Sequence, residues 1–254
     1  MTQASAGTGI PKWLFALALP VLALGGVAGW FWHAQRTQAD PAAALSAGNR
    51  AAIEKVVHDY ILEHPEILPQ AMANLQKREN AKQLADIRGA LETPFPGAIL
   101  GNPDGQVTLV EFTDYACGYC RQSVPDVTAL VREHPDLRIV VREFPILSPQ
   151  SAEAARMALA AAEQGKYAAF HDAMFAAGRP GPETIEAAGK AAGLDMARAR
   201  AFAASKAAAA EIERNFEFAR QLGIDGTPSW IAGDAILSGA VGKDRLSEAV
   251  SGAR

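Results

Sequence analysis

Val107-Thr108-Leu109-Val110-Glu111-Phe112-Thr113-Asp114-Tyr115-Ala116-Cys117-Gly118-Tyr119-Cys120-Arg121-Gln122-Ser123-Val124-Pro125 is the stretch whose reading decides the fold. It opens as an apolar, β-branched run of the kind that fills a buried strand. It breaks at Asp114-Tyr115-Ala116, and then Val124, Val127, Leu130 and Val131 recur at helical spacing. Cys117 and Cys120 therefore stand where a strand ends and a helix begins. The first turn of a helix carries unpaired N–H groups and the positive end of the macrodipole. A thiolate placed there is stabilised and becomes reactive near neutral pH. Pro125 falls inside the helix and is expected to kink it.

These two cysteines are the only ones in the chain. A disulfide between them closes too small a loop to restrain the unfolded chain much, which argues against a structural bridge. A zinc centre needs four ligands. No second cysteine pair exists, and His58, His64, His134 and His171 lack the histidine spacing of such a site. The reading is a redox dithiol, with a metal site and an incidental pair as the weaker alternatives. Neither a metal nor an organic cofactor is expected. Net charge is −4 and the basic residues are scattered, so a nucleic-acid partner is not expected.

Before the decisive stretch, residues 1–32 form a membrane-anchor or signal segment. Trp13 to Trp32 is apolar throughout and about 20 residues long, enough to span a bilayer as a helix, with tryptophans at both ends. A cleaved signal is the alternative, with a small-x-small site at Thr37-Gln38-Ala39. Residues 33–49 read as a linker. Residues 50–93 read as a helical preface. Ile53, Val56, Val57, Tyr60 and Ile61 mark one helical face, and His64-Pro65 stops that helix. A second helix carries Leu68, Met72, Leu75, Leu84, Ile87 and Leu91, with a charged run from Gln76 to Lys82. Faces this small need a partner, either the following domain or another copy of the chain.

After the decisive stretch, Leu137 to Phe144 is a second strand. Residues 151–223 are almost entirely helical, broken into four or five short helices at glycines, prolines and Ser205. Ser229–Ala232 and Ala235–Leu237 flank Gly233-Asp234 as a hairpin, and Gly242 to Val250 is a last helix. With the helical block set aside, residues 97–150 and 224–251 form the two halves of one α/β core.

That order, with C-x-x-C after the first core strand and Thr227-Pro228 just before the hairpin, resembles a thioredoxin fold carrying an inserted all-helical domain. The segments VEFTDYACGYC, Arg142-Glu143-Phe144-Pro145-Ile146-Leu147, Gly165-Lys166-Tyr167, Phe170-His171 and Gly223-Ile224-Asp225-Gly226-Thr227-Pro228 are similar to the DsbA-type thiol–disulfide oxidoreductases. They are close to the ScsC-like subgroup, whose helical preface Asp59 to Glu66 also resembles. The resemblance implies that Cys117 is the exposed attacking thiolate and Cys120 the buried resolving thiol. Gly118 and Tyr119 would tune the redox potential. Thr227 and Pro228 would face the cysteines, with Pro228 in cis and the Thr227 backbone pairing with substrate. Glu111 matches an acidic residue of the family's core strand that would move the Cys120 proton; a strand-end carboxylate facing solvent is the other reading. The implied partners are exported proteins bearing thiols or disulfides, an unidentified membrane redox protein, and further copies of the chain. The implied location is the periplasmic side of the inner membrane, anchored or soluble after cleavage. A chaperone-like binding module, or Cu(I) held by the same cysteines, remains the alternative function.

Overall fold

The computed structural model describes residues 47–253. The expected membrane span at Trp13–Trp32 and the linker to residue 46 lie outside the described residues. Among the described residues no helix is long and apolar enough to cross a membrane.

The chain divides into two units, one ending at Gln70 and one beginning at Ala71. The first holds α1 (Ala47–Glu63) and the start of α2 (Ile67–Ala85). His64-Pro65 separates them, because the residue before a proline avoids helical geometry. Ile53, Val56, Val57, Tyr60 and Leu68 are all at least 49% exposed.

In the second unit, Met72 and Leu75 of α2 are exposed as well, whereas Leu84 is fully buried. The expected second helix does not run unbroken to Leu91. It turns at Asp86-Ile87 and restarts as α3 (Arg88–Leu91). Both sides of that turn are tied down. Leu84 and Leu91 pack in one apolar cluster, and Arg88 Nη2 bonds Asp234 Oδ1 at 2.6 Å. The charged run is not wholly solvated either: Asn80 is buried and donates to the Asp234 carbonyl at 3.1 Å.

Five strands form one mixed sheet in the order β1-β3-β2-β4-β5: β1 (Ile99–Gly101), β2 (Val107–Thr113), β3 (Leu137–Glu143), β4 (Ser229–Ala232) and β5 (Ala235–Ser238). β2 and β3 run parallel, with Glu111 opposite Val141 and Thr113 opposite Glu143. α4 (Gly118–Glu133) makes the crossover between them and runs through Pro125. β4 lies antiparallel to β2, placing Trp230 opposite Glu111. Burial on both faces explains why β2 and β3 read as continuous apolar runs rather than alternating ones.

Between β3 and β4 come five helices: α5 (Pro149–Ala162), α6 (Tyr167–Ala177), α7 (Pro182–Ala191), α8 (Met196–Ala203) and α9 (Lys206–Leu222). The breaks have local causes. Ser148, Asp195 and Ser205 each cap the following helix through a side-chain oxygen. Gly223 ends α9 in the left-handed region at φ 65°, which a residue without Cβ adopts freely. α10 (Lys243–Gly252) closes the core and packs on α4.

Candidate active site

Cys117 is the residue before the first turn of α4, in extended geometry, and its sulfur accepts the Cys120 N–H at 3.4 Å. The helix is thus capped by a sulfur. Asp114 holds the approach to it. One carboxylate oxygen accepts the Ala116 N–H at 2.7 Å, and the other accepts the Ile146 and Leu147 N–H groups, both at 2.9 Å. The loop before the dithiol and the loop after β3 are therefore pinned to one side chain. Both cysteines are free thiols.

Across from the dithiol, the Thr227–Pro228 peptide is cis, as the resemblance implied. The Cys117 Sγ lies 3.2 Å from the Thr227 carbonyl oxygen, to which the thiol donates. This contact changes one expectation. Cys117 is not open to solvent but only 5% exposed, with Cys120 at 1%. The Thr227 backbone and the α4 turn cover it. The side chains between the cysteines leave the entrance clear. A Cβ at Gly118 would meet nothing within 4 Å, and Tyr119 is 65% exposed.

The two sulfurs differ electrostatically. Hydrogen bonding from the Cys120 side chain holds the Cys117 thiol down at about 5, overcoming burial, and the Cys120 and Tyr119 backbone helps. Cys120 goes the other way. Burial, its bond to Cys117 and the Glu111 charge all push its thiol above the ordinary range.

Under the sulfurs lies a polar floor. Glu111 is 2% exposed rather than facing solvent, and burial lifts its carboxyl to about 7. On the neighbouring strand Glu143 is fully buried. Its Oε1 accepts the Tyr167 hydroxyl at 2.7 Å and the Tyr115 hydroxyl at 3.2 Å. Burial lifts Glu143 to about 8. His171 of α6, 2% exposed, packs its ring 6.1 Å from those of both tyrosines. Sequence reasoning placed Cys117, Cys120, Glu111, Thr227 and Pro228 together at this site. It missed Asp114, Tyr115, Glu143, Tyr167 and His171. A signal for Glu143 was present: a charged residue in the strand Leu137–Phe144 must be paired if that strand is buried.

A dithiol capping a helix, opposed by a cis-proline loop on a five-stranded mixed sheet, defines a thioredoxin-like α/β protein. The chain belongs to the DSBA-like thioredoxin domain family, whose model matches residues 108–251. Residues 49–82 match the copper resistance protein ScsC N-terminal domain. A thioredoxin-like oxidoreductase from Silicibacter pomeroyi is 42% identical, with a TM-score of 0.59 over 61% of this chain and 91% of its own. A linker-deleted variant of Proteus mirabilis ScsC is 29% identical, with a TM-score of 0.62 over 83% of this chain and 97% of its own. The thiol–disulfide exchange protein α-DsbA2 of Wolbachia pipientis is 28% identical, with a TM-score of 0.63 over 72% of this chain and 98% of its own. Among curated relatives, a Na(+)/H(+) antiporter NhaA 1 of Salinispora arenicola is 30% identical over 158 residues, 61% of this chain. The match spans only 24% of that protein's length. DsbA-like relatives of this fold are thiol–disulfide oxidoreductases.

Proposed function

We propose that this protein exchanges thiols and disulfides on exported proteins, with Cys117 as the attacking sulfur and Cys120 as the resolving one. The observation that carries the assignment is the asymmetry of the pair. Cys117 caps α4 and is held ionised near neutral pH, while Cys120 is buried and held protonated. The Cys117 thiolate attacks a substrate disulfide and forms a mixed disulfide. Cys120 then gives its proton to Glu111 and attacks the Cys117 sulfur, and the substrate sulfur leaves. Run backwards, the oxidised protein donates its disulfide, with Glu111 returning the proton. The Thr227 backbone, beside the reacting sulfur, offers main-chain groups to an extended substrate segment. Gly118 and Tyr119, the residues between the cysteines in the first turn of α4, tune the redox potential.

Trapping tests the roles. Cys120→Ser should accumulate mixed disulfides with disulfide substrates, one substrate sulfur leaving as thiolate, while Cys117→Ser should accumulate none. The opposite pattern reverses the assignment.

A second reading concerns direction and rests on the exposed apolar residues of α1 and α2. These residues pack against further copies of the chain, and several active sites near one substrate favour isomerisation over single donation. The apolar stretch Trp13–Trp32 holds the assembly at the periplasmic face of the inner membrane, where an unidentified membrane redox partner resets the dithiol. Equilibration with glutathione measures which direction the potential favours.

A further inference from the structure

Phe175, near the end of α6, touches the dithiol turn on both sides. Its ring lies 4.8 Å from that of Tyr115, two residues before Cys117. Its carbonyl oxygen accepts the Nε–H of Arg121, the residue after Cys120, at 3.0 Å. Arg121 Nη2 also donates to the Gly178 carbonyl, at 2.6 Å. One guanidinium thus spans two carbonyls at the end of α6, where a helix leaves its last carbonyls without partners. Tyr115 is fixed further. Phe170 meets its ring edge-on at 6.0 Å. Its hydroxyl donates to Glu143, which also receives the Tyr167 hydroxyl from the start of α6.

The junction between these two anchors is the reactive one. Cys117 belongs to the loop side, in extended geometry at φ −77° and ψ 118°. The N–H that bonds its sulfur belongs to Cys120, on the helix side. Their 3.4 Å contact is therefore only as well aimed as loop and helix are held against each other. Arg121 and Tyr115 hold both sides to a third element, α6. The charged and titratable groups around the turn are Tyr119, Cys120 and Arg121 on α4, Asp114 and Tyr115 in the loop and Glu111 on β2. Glu143 on β3, and Tyr167 and His171 on α6, complete them, and the loop before β4 brings the Thr227 carbonyl.

We propose that Arg121 is a positioning residue for thiol–disulfide exchange, and that α6 of the inserted block is the splint it grips, so that the Cys120 N–H stays aimed at the Cys117 sulfur. The inference rests on the reading of Cys117 as the attacking thiolate. Arg121 takes no part in the bonds that form or break. Its grip stabilises the reduced, ionised dithiol, because a donor aimed at a sulfur is worth most when that sulfur carries charge. In the disulfide the Cys117 sulfur carries none. Loosening the grip therefore raises the cost of the thiolate. It also moves the reaction of the reduced protein with glutathione disulfide, which yields the oxidised protein and two glutathione thiols, towards its products.

Ultraviolet absorbance of the thiolate, followed against pH in the reduced full chain, gives the Cys117 midpoint. Equilibration with glutathione gives the ratio of reduced to oxidised protein. Arg121→Lys keeps the charge and gives up the two-carbonyl fork. It should raise the midpoint by about one pH unit and shift the glutathione equilibrium at pH 7 about tenfold towards the disulfide. Arg121→Gln, which removes the charge too, should shift both at least as far. Ser205→Ala removes the cap of α9, so it should lower thermal stability while leaving both readouts in place. If neither Arg121 variant shifts the readouts, the proposal is overturned. If Arg121→Gln shifts them and Arg121→Lys does not, the side chain acts through its charge, and positioning is overturned. If Ser205→Ala shifts them as far as Arg121→Lys, the effect is general loosening, which overturns it as well. If Cys117→Ser leaves the absorbance step in place, the reading of Cys117 as the thiolate falls, and this inference with it. NMR of the unsubstituted chain gives a check that needs no variant to fold. The Arg121 Nε–H signal should exchange slowly with solvent and shift as Cys117 titrates, and a signal lost to fast exchange would overturn the grip.

Discussion

The start of the helical preface and the floor of the dithiol site break the same rule in opposite directions. On α1 and the first half of α2, Ile53, Val56, Val57, Tyr60, Leu68, Met72 and Leu75 lie exposed where a monomer would place polar groups. Beneath the cysteines, Glu111, Asp114, Glu143 and His171 lie buried where a core would be apolar, and Arg142 is buried on the other face of β3. Scattered surface hydrophobics are ordinary, but a run at helical spacing over two helices marks a surface built to be covered. Buried charges are tolerated only when paired, or when their cost is part of the chemistry. Arg142 is the paired kind. It bonds Glu211 Oε1 at 2.8 Å, Asn215 Oδ1 at 3.3 Å and the carbonyls of Ala90, Leu91 and Thr93. Glu111 is the other kind, its Oε2, like that of Glu143, without a hydrogen-bond partner among the described residues. In the proposed mechanism, the difference separates a charge that holds the fold from a group that accepts a proton.

The largest effect that could break this comparison is on activity. Cys117→Ser should lower disulfide exchange on a reporter peptide by at least about a thousandfold, and residual exchange within tenfold of the unsubstituted chain would mean that the floor serves no thiolate. Next comes Arg142→Met, which takes the buried partner from Glu211 and leaves it the exposed Arg214. It should cost roughly 3–5 kcal/mol in denaturant unfolding, and a loss below about 1 kcal/mol would place Arg142 outside the structural class.

Smaller again is a pH effect in the oxidised chain, where Cys117 does not titrate. Glu111 and Glu143 bind protons more tightly folded, at about 7 and about 8, than unfolded, near 4.5. Their contribution is therefore full below about 4.5 and is lost as pH rises through 7 and 8. Thermal unfolding of Glu143→Gln should show a shallower loss over that window, and an unchanged slope would remove Glu143 from the account. The smallest effect on the fold belongs to the preface. Val56→Glu with Met72→Glu should change unfolding free energy by no more than about 0.5 kcal/mol. The same pair should lower the mass seen by light scattering, and an unchanged mass would sharpen the comparison against self-association.

That last experiment uses substitutions because the structure rules out the simpler truncation at Leu91. Leu84 and Leu91 are fully buried, and Arg142 grips the carbonyls of Ala90, Leu91 and Thr93, so a chain begun after Leu91 loses part of its catalytic unit. The helical spacing of Leu68 to Leu91 was legible in the sequence. The passage from exposed to buried between Leu75 and Leu84 was not, because it depends on Asp234, Gly233 and Arg142, distant in the chain.

The core reads out for a related reason. The β-branched run before Cys117, the glycine hairpin at Gly233 and the caps are local signals, and each leads to the element observed. Cys117, Cys120, Glu111, Thr227 and Pro228 were reachable through the spacing of the motif and its resemblance. Tyr115, Tyr167 and His171 carry no local mark, since an aromatic on a helical face reads as ordinary core. Only the folding of α6 against the sheet turns Tyr167 into a partner of Glu143.

The order of the strands carries a consequence for how the chain is made. β2 pairs with β4 far along the chain, Leu109 meeting Ala232 and Phe112 meeting Ser229, and the whole helical block is synthesised in between. Until residue 232 has emerged, Val110 and Phe112 belong to an open sheet edge, and no Thr227 carbonyl stands over the Cys117 sulfur. Contacts of such long range close late and slowly. Cys117 of a growing chain is therefore without its cover while the next 110 residues are made, and a nascent chain halted before β4 would be open to thiol–disulfide exchange at that sulfur.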